Sequence, residues 1–173
     1  MALTPRRSPV VTAFVALGSN LDDPPGQIRR ALQALAALPG TWLVGSSSLY
    51  RNPPTGVLDQ PDFVNAAAEI ETRLAARELL EHLLAIERAH GRVRAVPGGP
   101  RTLDLDLLLY GGLAVREPGL VVPHPRMHDR AFVLVPLAEI APGVLVPGRG
   151  RIAELVRNVD ASGMTRIPET GNG

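Results

Sequence analysis

The chain contains no cysteine and very few aromatic residues. Of its 173 residues none is Cys, and only 3% are Phe, Trp or Tyr. Without cysteine there is no disulfide framework, no thiolate metal site and no cysteine nucleophile, and we expect a protein of the reducing cytoplasm. No hydrophobic run approaches the roughly 20 residues that cross a bilayer, so we expect no membrane partner. The net charge of +1 gives no electrostatic reason to expect nucleic acid.

What is present predicts one folded domain over residues 1–173, with a core at about 10–150 and flexible termini. Periodicity and turn residues predict strands at about 10–17, 42–50 and 63–72, helices from about 24 to 38 and 75 to 90, and a strand ending at Tyr110. The order β-α-β-β-α-β is that of a ferredoxin-like α+β fold, an antiparallel sheet with two helices on one face. An apolar run at 131–138 and a helix near 152–158 are C-terminal additions.

The last of these strands carries two carboxylates. Asp104 and Asp106 alternate with Leu103, Leu105 and Leu107, and side chains alternate faces along a strand, so both carboxylates are predicted to share one face. Such a pair repels itself unless a cation lies between, and hard oxygen ligands at this spacing suit Mg²⁺ held together with substrate phosphates. The alternative is a strand with one solvated face.

Arginines surround this strand in sequence. Arg92, Arg94 and Arg101 belong to a Gly- and Pro-rich loop that leads into it, and guanidinium groups suit phosphate oxygens. Carboxylates for Mg²⁺ together with arginines predict a phosphoryl-transfer site, unless the loop is merely solvated. His124 lies between two prolines and would either donate to a phosphate oxygen or cap its own loop.

A second set of residues predicts a pocket for a flat heterocycle. Residues 51–61 contain three prolines and a glycine and are predicted to form an irregular, functional loop. Phe63 and Asn65 share a face of the following strand, and Phe132 follows the His124 segment. Two rings could stack on a heterocycle while the amide bonds its edge. Alternatively, both Phe side chains belong to the core.

Taken together, six ordered segments within about residues 12–150 resemble the 6-hydroxymethyl-7,8-dihydropterin pyrophosphokinase family. They are Ala16–Leu21, Tyr50–Pro54, Gln60–Asn65, Gly91–Arg94, Gly99–Asp106 and Val122–His124. The resemblance implies an enzyme that transfers diphosphate from ATP to the hydroxymethyl group of the pterin. It would yield AMP and the pterin diphosphate for folate biosynthesis. ATP and the pterin are then its small-molecule partners, and we expect a monomer.

The same resemblance assigns roles to individual residues. It implies that Asp104 and Asp106 bind two Mg²⁺ ions and that Arg92 and Arg101 are catalytic arginines. Nucleotide or phosphate contacts are implied for Glu87, Arg94, Leu107, His124 and Arg130. A pterin pocket with the ring between two Phe side chains is implied for Asn52, Pro53, Thr55, Phe63, Asn65 and Phe132.

The chain also departs from the family pattern. Many members carry a Trp just before the Gly-Pro-Arg motif, but residues 95–99 contain none, and Leu84 replaces a Gln found in some members. Two other classes stay open from the residues alone. One is another Mg²⁺-dependent nucleotide enzyme such as a nucleotidyltransferase, and the other is a ligand-binding module without catalysis.

Overall fold

The computed structural model describes residues 8–54, 57–92 and 99–169. The first part of the chain forms β1 (Val11–Ser19), α1 (Pro24–Ala36), β2 (Thr41–Ser46), β3 (Tyr50–Asn52), β4 (Phe63–Thr72), α2 (Ala76–Ala89) and β5 (Asp104–Tyr110). It continues with β6 (Val115–Glu117), β7 (Leu120–Val122), a 3₁₀ turn (Met127–Asp129), α3 (Ala131–Ile140), β8 (Leu145–Val146) and β9 (Gly150–Arg151). It ends with α4 (Ile152–Leu155), a second 3₁₀ turn (Val156–Asn158) and β10 (Thr165–Arg166).

Strand β4 organises the main sheet. On one side it pairs antiparallel with β1, which in turn pairs with β5; on the other side it pairs with β2 and β3, and β10 extends the sheet beyond β3. Helices α1 and α2 lie on the face of the sheet that carries Val15 and Ile70, where Leu35 and Leu83 are fully buried. The predicted α+β, ferredoxin-like arrangement is therefore confirmed. A single domain over 1–173 stays a prediction.

The C-terminal additions cover part of the opposite face. Helix α3 packs with Val133 and Leu137 against Phe14 of β1, Ala67 of β4 and Leu108 of β5, forming a second apolar cluster. Helices therefore pack on both faces of the main sheet. Within the described residues, every helix is too short or too polar to span a bilayer.

The structure differs from three local predictions. The single strand expected at about 42–50 is interrupted, because the Ser47 hydroxyl accepts a hydrogen bond from the Ala67 amide (2.9 Å) where a backbone carbonyl would continue the ladder. The loop expected at 51–61 starts later, since Arg51 and Asn52 pair with β4 as the end of β3. The helix expected near 152–158 is helical only to Leu155 and ends in a 3₁₀ turn.

Burial of α2 against the sheet supplies a direct test of the fold. Leu83→Ala should lower the free energy of unfolding by about 2–5 kcal/mol, because Leu83 is fully buried and its removal leaves a cavity. Urea denaturation followed by circular dichroism measures this. The matched control is Leu58→Ala, since Leu58 is 74% exposed and should change stability by less than about 0.5 kcal/mol. Equal effects for the two variants would contradict the packing of α2.

Candidate active site

A cleft opens where β1 ends and β4 and β5 begin. Gly18 of β1 pairs with Asn65 of β4 on one side and with Asp104 of β5 on the other, so strand register places an amide and a carboxylate two strands apart, about 10 Å. A side chain at Gly18 would obstruct this arrangement, because its Cβ would lie 2.8 Å from the Asn65 Oδ1 atom. Glycine therefore permits the close approach of Asn65.

The cleft has a volume of about 910 Å³ and brings together eight of the residues implicated by sequence. Asn52, Pro53, Phe63, Asn65, Arg101, Asp104, Arg130 and Phe132 all line it. Thr55 and Arg94 lie outside the described residues. Sequence patterns did not single out Gly18, Arg126, His128 or Asp129 as cleft residues, nor the contribution of residues 158–164.

One half of the cleft combines amides with aromatic rings. Asn65 Nδ2 donates to Asn52 Oδ1, and both side chains are buried. Phe63 and Phe132 are only partly buried and border the cavity, so neither is an ordinary core residue. The Arg130 guanidinium lies 5.5 Å from the centre of the Phe132 ring, within cation–π range. Rings and fixed amides suit a flat, hydrogen-bonding heterocycle.

The other half of the cleft centres on Asp104. Its Oδ2 accepts from Arg101 Nη1 at 2.8 Å and its Oδ1 accepts from Arg92 Nη1. Arg92 also donates to Glu87 Oε2 at 2.5 Å, and that same oxygen accepts from the Leu105 backbone amide at 2.8 Å. Glu87 thus ties Arg92 to the start of β5. These hydrogen bonds connect Glu87 at the end of α2, Arg92 just after that helix, and the start of β5.

These charges have opposite effects on the two aspartates of β5. Burial opposes ionisation of Asp104, but the positive charges of Arg92 and Arg101 prevail and lower its pKa. Burial, together with the negative charges of Asp104 and Glu87, raises the pKa of Asp106 to about 7. Near neutral pH the Asp106 carboxyl group is therefore partly protonated, whereas the neighbouring Asp104 is a charged carboxylate. A cation bound near the pair would favour the ionised form of Asp106.

The remaining predicted nucleotide contacts fall in different places. His124 lies beside β5, since its backbone amide donates to the Leu108 carbonyl at 2.9 Å, and burial and the Arg130 charge lower its imidazole pKa. The Leu107 side chain packs in the core below α1 and α2, on the face opposite the aspartates. That side chain does not reach the cleft, and only the Leu107 backbone is left for a nucleotide contact.

Asn20 is a site residue that the sequence motif contained but did not explain. Its side chain is 2% exposed and bonds three partners: Oδ1 accepts from the Arg101 amide (2.8 Å), while Nδ2 donates to Gln60 Oε1 (2.9 Å) and the Pro61 carbonyl (3.0 Å). Asn20 therefore joins the arginine-bearing loop to the proline-rich loop. Only the folded structure reveals this role, because the partners are 40 or more residues apart.

The donor set at β5 fits a magnesium ion. Among the described residues no group of three or more His, Asp or Glu side chains is placed to hold a metal ion. Asp104 lines the cleft together with Arg101 and Arg130, whereas Asp106, two residues further along the same face of β5, is not among the lining residues. Mg²⁺ is usually held in this way, by one or two carboxylates, with substrate phosphates and water completing its shell.

Comparison with known proteins agrees with this geometry. Residues 14–142 match the family model described as 7,8-dihydro-6-hydroxymethylpterin-pyrophosphokinase (HPPK). A Haemophilus influenzae protein named 2-amino-4-hydroxy-6-hydroxymethyldihydropteridine pyrophosphokinase is 49% identical over 148 residues, covering 86% of this chain and 92% of its own. A Pseudomonas aeruginosa protein of the same name is 49% identical over 155 residues, which cover 90% of this chain and 96% of the Pseudomonas protein.

The chain belongs to the 7,8-dihydro-6-hydroxymethylpterin-pyrophosphokinase family. The resemblance noted in the sequence is confirmed, as is the expectation of a pyrophosphokinase of folate biosynthesis. A solved Plasmodium falciparum HPPK-DHPS shares the fold, with a TM-score of 0.73 at 13% identity. The match covers 94% of this chain, which spans about half (48%) of that longer one.

Protonation of Asp106 should be visible in the stability of the metal-free protein. The pKa of Asp106 is about 7 in the folded protein, against an ordinary value of 3.8. The stabilisation that comes from keeping Asp106 protonated is therefore present below about pH 4 and is lost as the pH rises through 7. The side chain introduced by Asp106→Asn cannot ionise. In EDTA, the free energy of unfolding of this variant should therefore exceed that of the wild type by up to about 4 kcal/mol at pH 8 and equal it near pH 4. Urea titrations of both proteins at both pH values measure this. An equal difference in stability at pH 4 and at pH 8 would contradict the raised pKa.

Loss of the Asn20 bonds should impair the site more than the fold. Asn20→Ala should lower kcat/KM by about ten- to a hundredfold, because Arg101 and the proline-rich loop lose their shared anchor. Steady-state kinetics and a thermal melt measure the two effects. Gln33→Ala, an exposed amide on α1, is the control. A folded Asn20→Ala variant with activity within twofold of the wild type would contradict the anchoring role.

Proposed function

We propose that the protein transfers the β,γ-diphosphate of ATP to the hydroxymethyl oxygen of 6-hydroxymethyl-7,8-dihydropterin. The oxygen attacks the β-phosphorus in line, and a new P–O bond forms as the bond to the α,β-bridging oxygen breaks. AMP leaves with that oxygen, and the hydroxyl proton is released. A cytoplasmic location and a monomeric state stay predictions.

The supporting observation is that one cleft joins two unlike halves. Asn52, Asn65 and the two Phe side chains form a surface for a flat heterocycle, while Arg101, Arg130 and Asp104 form a surface for phosphates. A substrate pair that occupied both halves would bring a pterin alcohol next to a triphosphate. Much of the rate enhancement in phosphoryl transfer comes from such positioning and from charge stabilisation.

The arginines would change partners when ATP binds. Arg92 and Arg101 now bond the Asp104 carboxylate, and both would exchange carboxylate oxygens for phosphate oxygens. Asp104 would thereby become available to a cation. Glu87 keeps Arg92 near the cleft through its 2.5 Å ion pair. In the transition state both guanidinium groups would stabilise the charge that develops on the transferred group.

Asp104 and Asp106 are the residues that would hold magnesium, and we propose two ions between these carboxylates and the triphosphate. When bound, Mg²⁺ offsets the charge of the phosphate oxygens. Burial and, after it, the negative charges of Asp104 and Glu87 raise the pKa of Asp106, and a cation would offset both effects by favouring the ionised carboxylate. Aspartate oxygens, rather than a histidine cluster, suit this hard ion.

Binding measurements test the two-substrate proposal. Isothermal titration with a non-hydrolysable ATP analogue and Mg²⁺, followed by 6-hydroxymethylpterin, should show pterin binding that is strengthened by nucleotide and metal together. Pterin binding that ignores nucleotide and Mg²⁺ would instead favour a module without catalysis. Absence of pterin binding under every condition would favour a different nucleotide enzyme.

Turnover tests the metal ligands. Asp106→Asn should reduce AMP formation by more than about a hundredfold, because it removes a charged oxygen ligand, although this variant is expected to be the more stable protein at pH 8. Glu71→Gln is the matched control, since Glu71 is an exposed carboxylate on β4 that pairs with Thr12, far from the cleft. Near-normal AMP formation by Asp106→Asn would contradict the proposed metal role.

A further inference from the structure

The end of the described chain borders the cleft. Asn158, Val159, Asp160, Gly163 and Met164 are all among the lining residues, and they lie beyond residues 14–142 that match the family model. We call residues 158–164 the C-terminal wall. Sequence patterns assigned no function to this segment, and nothing in the reaction described above uses it.

The C-terminal wall is anchored next to the predicted pterin-binding residues. Immediately after it, β10 pairs with β3, with Thr165 opposite Arg51 and Arg166 opposite Tyr50. The Ile167 amide donates to the Leu49 carbonyl at 2.8 Å, and Arg166 forms a 3.3 Å ion pair with Glu139 of α3. Because β3 ends at Asn52 and leads into Pro53, the same pairing that holds the wall also supports those residues.

Contact between the wall and Pro53 is direct. A Cβ built on Gly163 would lie 3.4 Å from Pro53 Cδ and 3.5 Å from Pro53 Cγ, so the backbone of the wall packs against the proline ring. The wall is also folded on itself: Asp160 Oδ1 accepts from the Ser162 amide at 2.9 Å, and the Met164 amide donates to the Ala161 carbonyl at 3.0 Å. These bonds define one conformation of the segment beside the cleft.

We propose that the C-terminal wall forms one side of the pterin half of the cleft and that Val159 and Met164 make apolar contact with the bound pterin. This inference rests on the proposed function. Both side chains are partly buried and line the cavity. Asn158 and Asp160 also line the cleft, and Asp160 already accepts the Ser162 amide, whereas Val159 and Met164 supply the apolar surface of the wall. Methionine suits this role, because its flexible thioether adapts to an irregular ligand edge and packs well on aromatic systems.

The test compares pterin affinity with nucleotide affinity in point variants of the full chain. Met164→Ala and Val159→Ala should each weaken binding of 6-hydroxymethylpterin, measured with the ATP analogue and Mg²⁺ present, by about three- to twentyfold. The dissociation constant of the ATP analogue should stay within twofold. The KM for the pterin should rise while kcat changes less, since a wall contact acts in the ground state and in the transition state alike.

Two control variants separate contact from folding. Ser162→Ala lies in the same segment but does not line the cleft, and it should bind the pterin as the wild type does. Met164→Leu keeps the apolar volume and should retain most of the affinity lost in Met164→Ala. Together these variants distinguish a specific apolar contact from general damage to the segment.

The outcomes distinguish this inference from the proposed function. If the wild type binds the pterin and both alanine variants match Ser162→Ala, the C-terminal wall does not contact the substrate. Equal loss of pterin and nucleotide affinity in the alanine variants would also overturn it, because that result indicates a structural effect. If the wild type itself fails to bind the pterin, it is the proposed function that is wrong.

Discussion

The site depends on the paired charges at Asp104. Arg92 and Asp104 are only 10% and 18% exposed in their side chains, so both have lost much of their hydration. Removing charges from water is costly, and the attraction between them offsets that cost only with good geometry, so such pairs are weak sources of stability. The pairing places two guanidinium groups, which would bind phosphate oxygens, beside a carboxylate that would bind a cation.

Asp106 differs from Asp104 because of its surroundings, although both stand on the same face of β5. Asp104 receives two arginine hydrogen bonds, whereas Asp106 is buried near two negative groups, Asp104 and Glu87. Identical side chains two residues apart thereby have pKa values displaced in opposite directions. A cation bound beside Asp106 would favour its ionised form and so offset the burial and repulsion that oppose it.

Features governed by short-range geometry were predictable. The alternation along β5 follows from the two-residue period of a strand, and Leu103, Leu105 and Leu107 are buried as that period requires. Helix α2 likewise follows from its apolar spacing. The break between β2 and β3 was not predictable, because the Ser47 hydroxyl replaces a ladder bond only when β4 is already alongside. The position of α3 on the second face depends in the same way on assembled packing.

The sequence by itself determined the order of elements, the common face of the two aspartates, and the family to which the chain belongs, because each is encoded in neighbouring residues or ordered motifs. Only the tertiary structure decided that Asn20 joins two loops and that Gly163 packs on Pro53. Contacts of this second kind join segments up to 110 positions apart in the chain, as between Pro53 and Gly163. Their formation depends on how complete strands and helices pack, which no local pattern specifies.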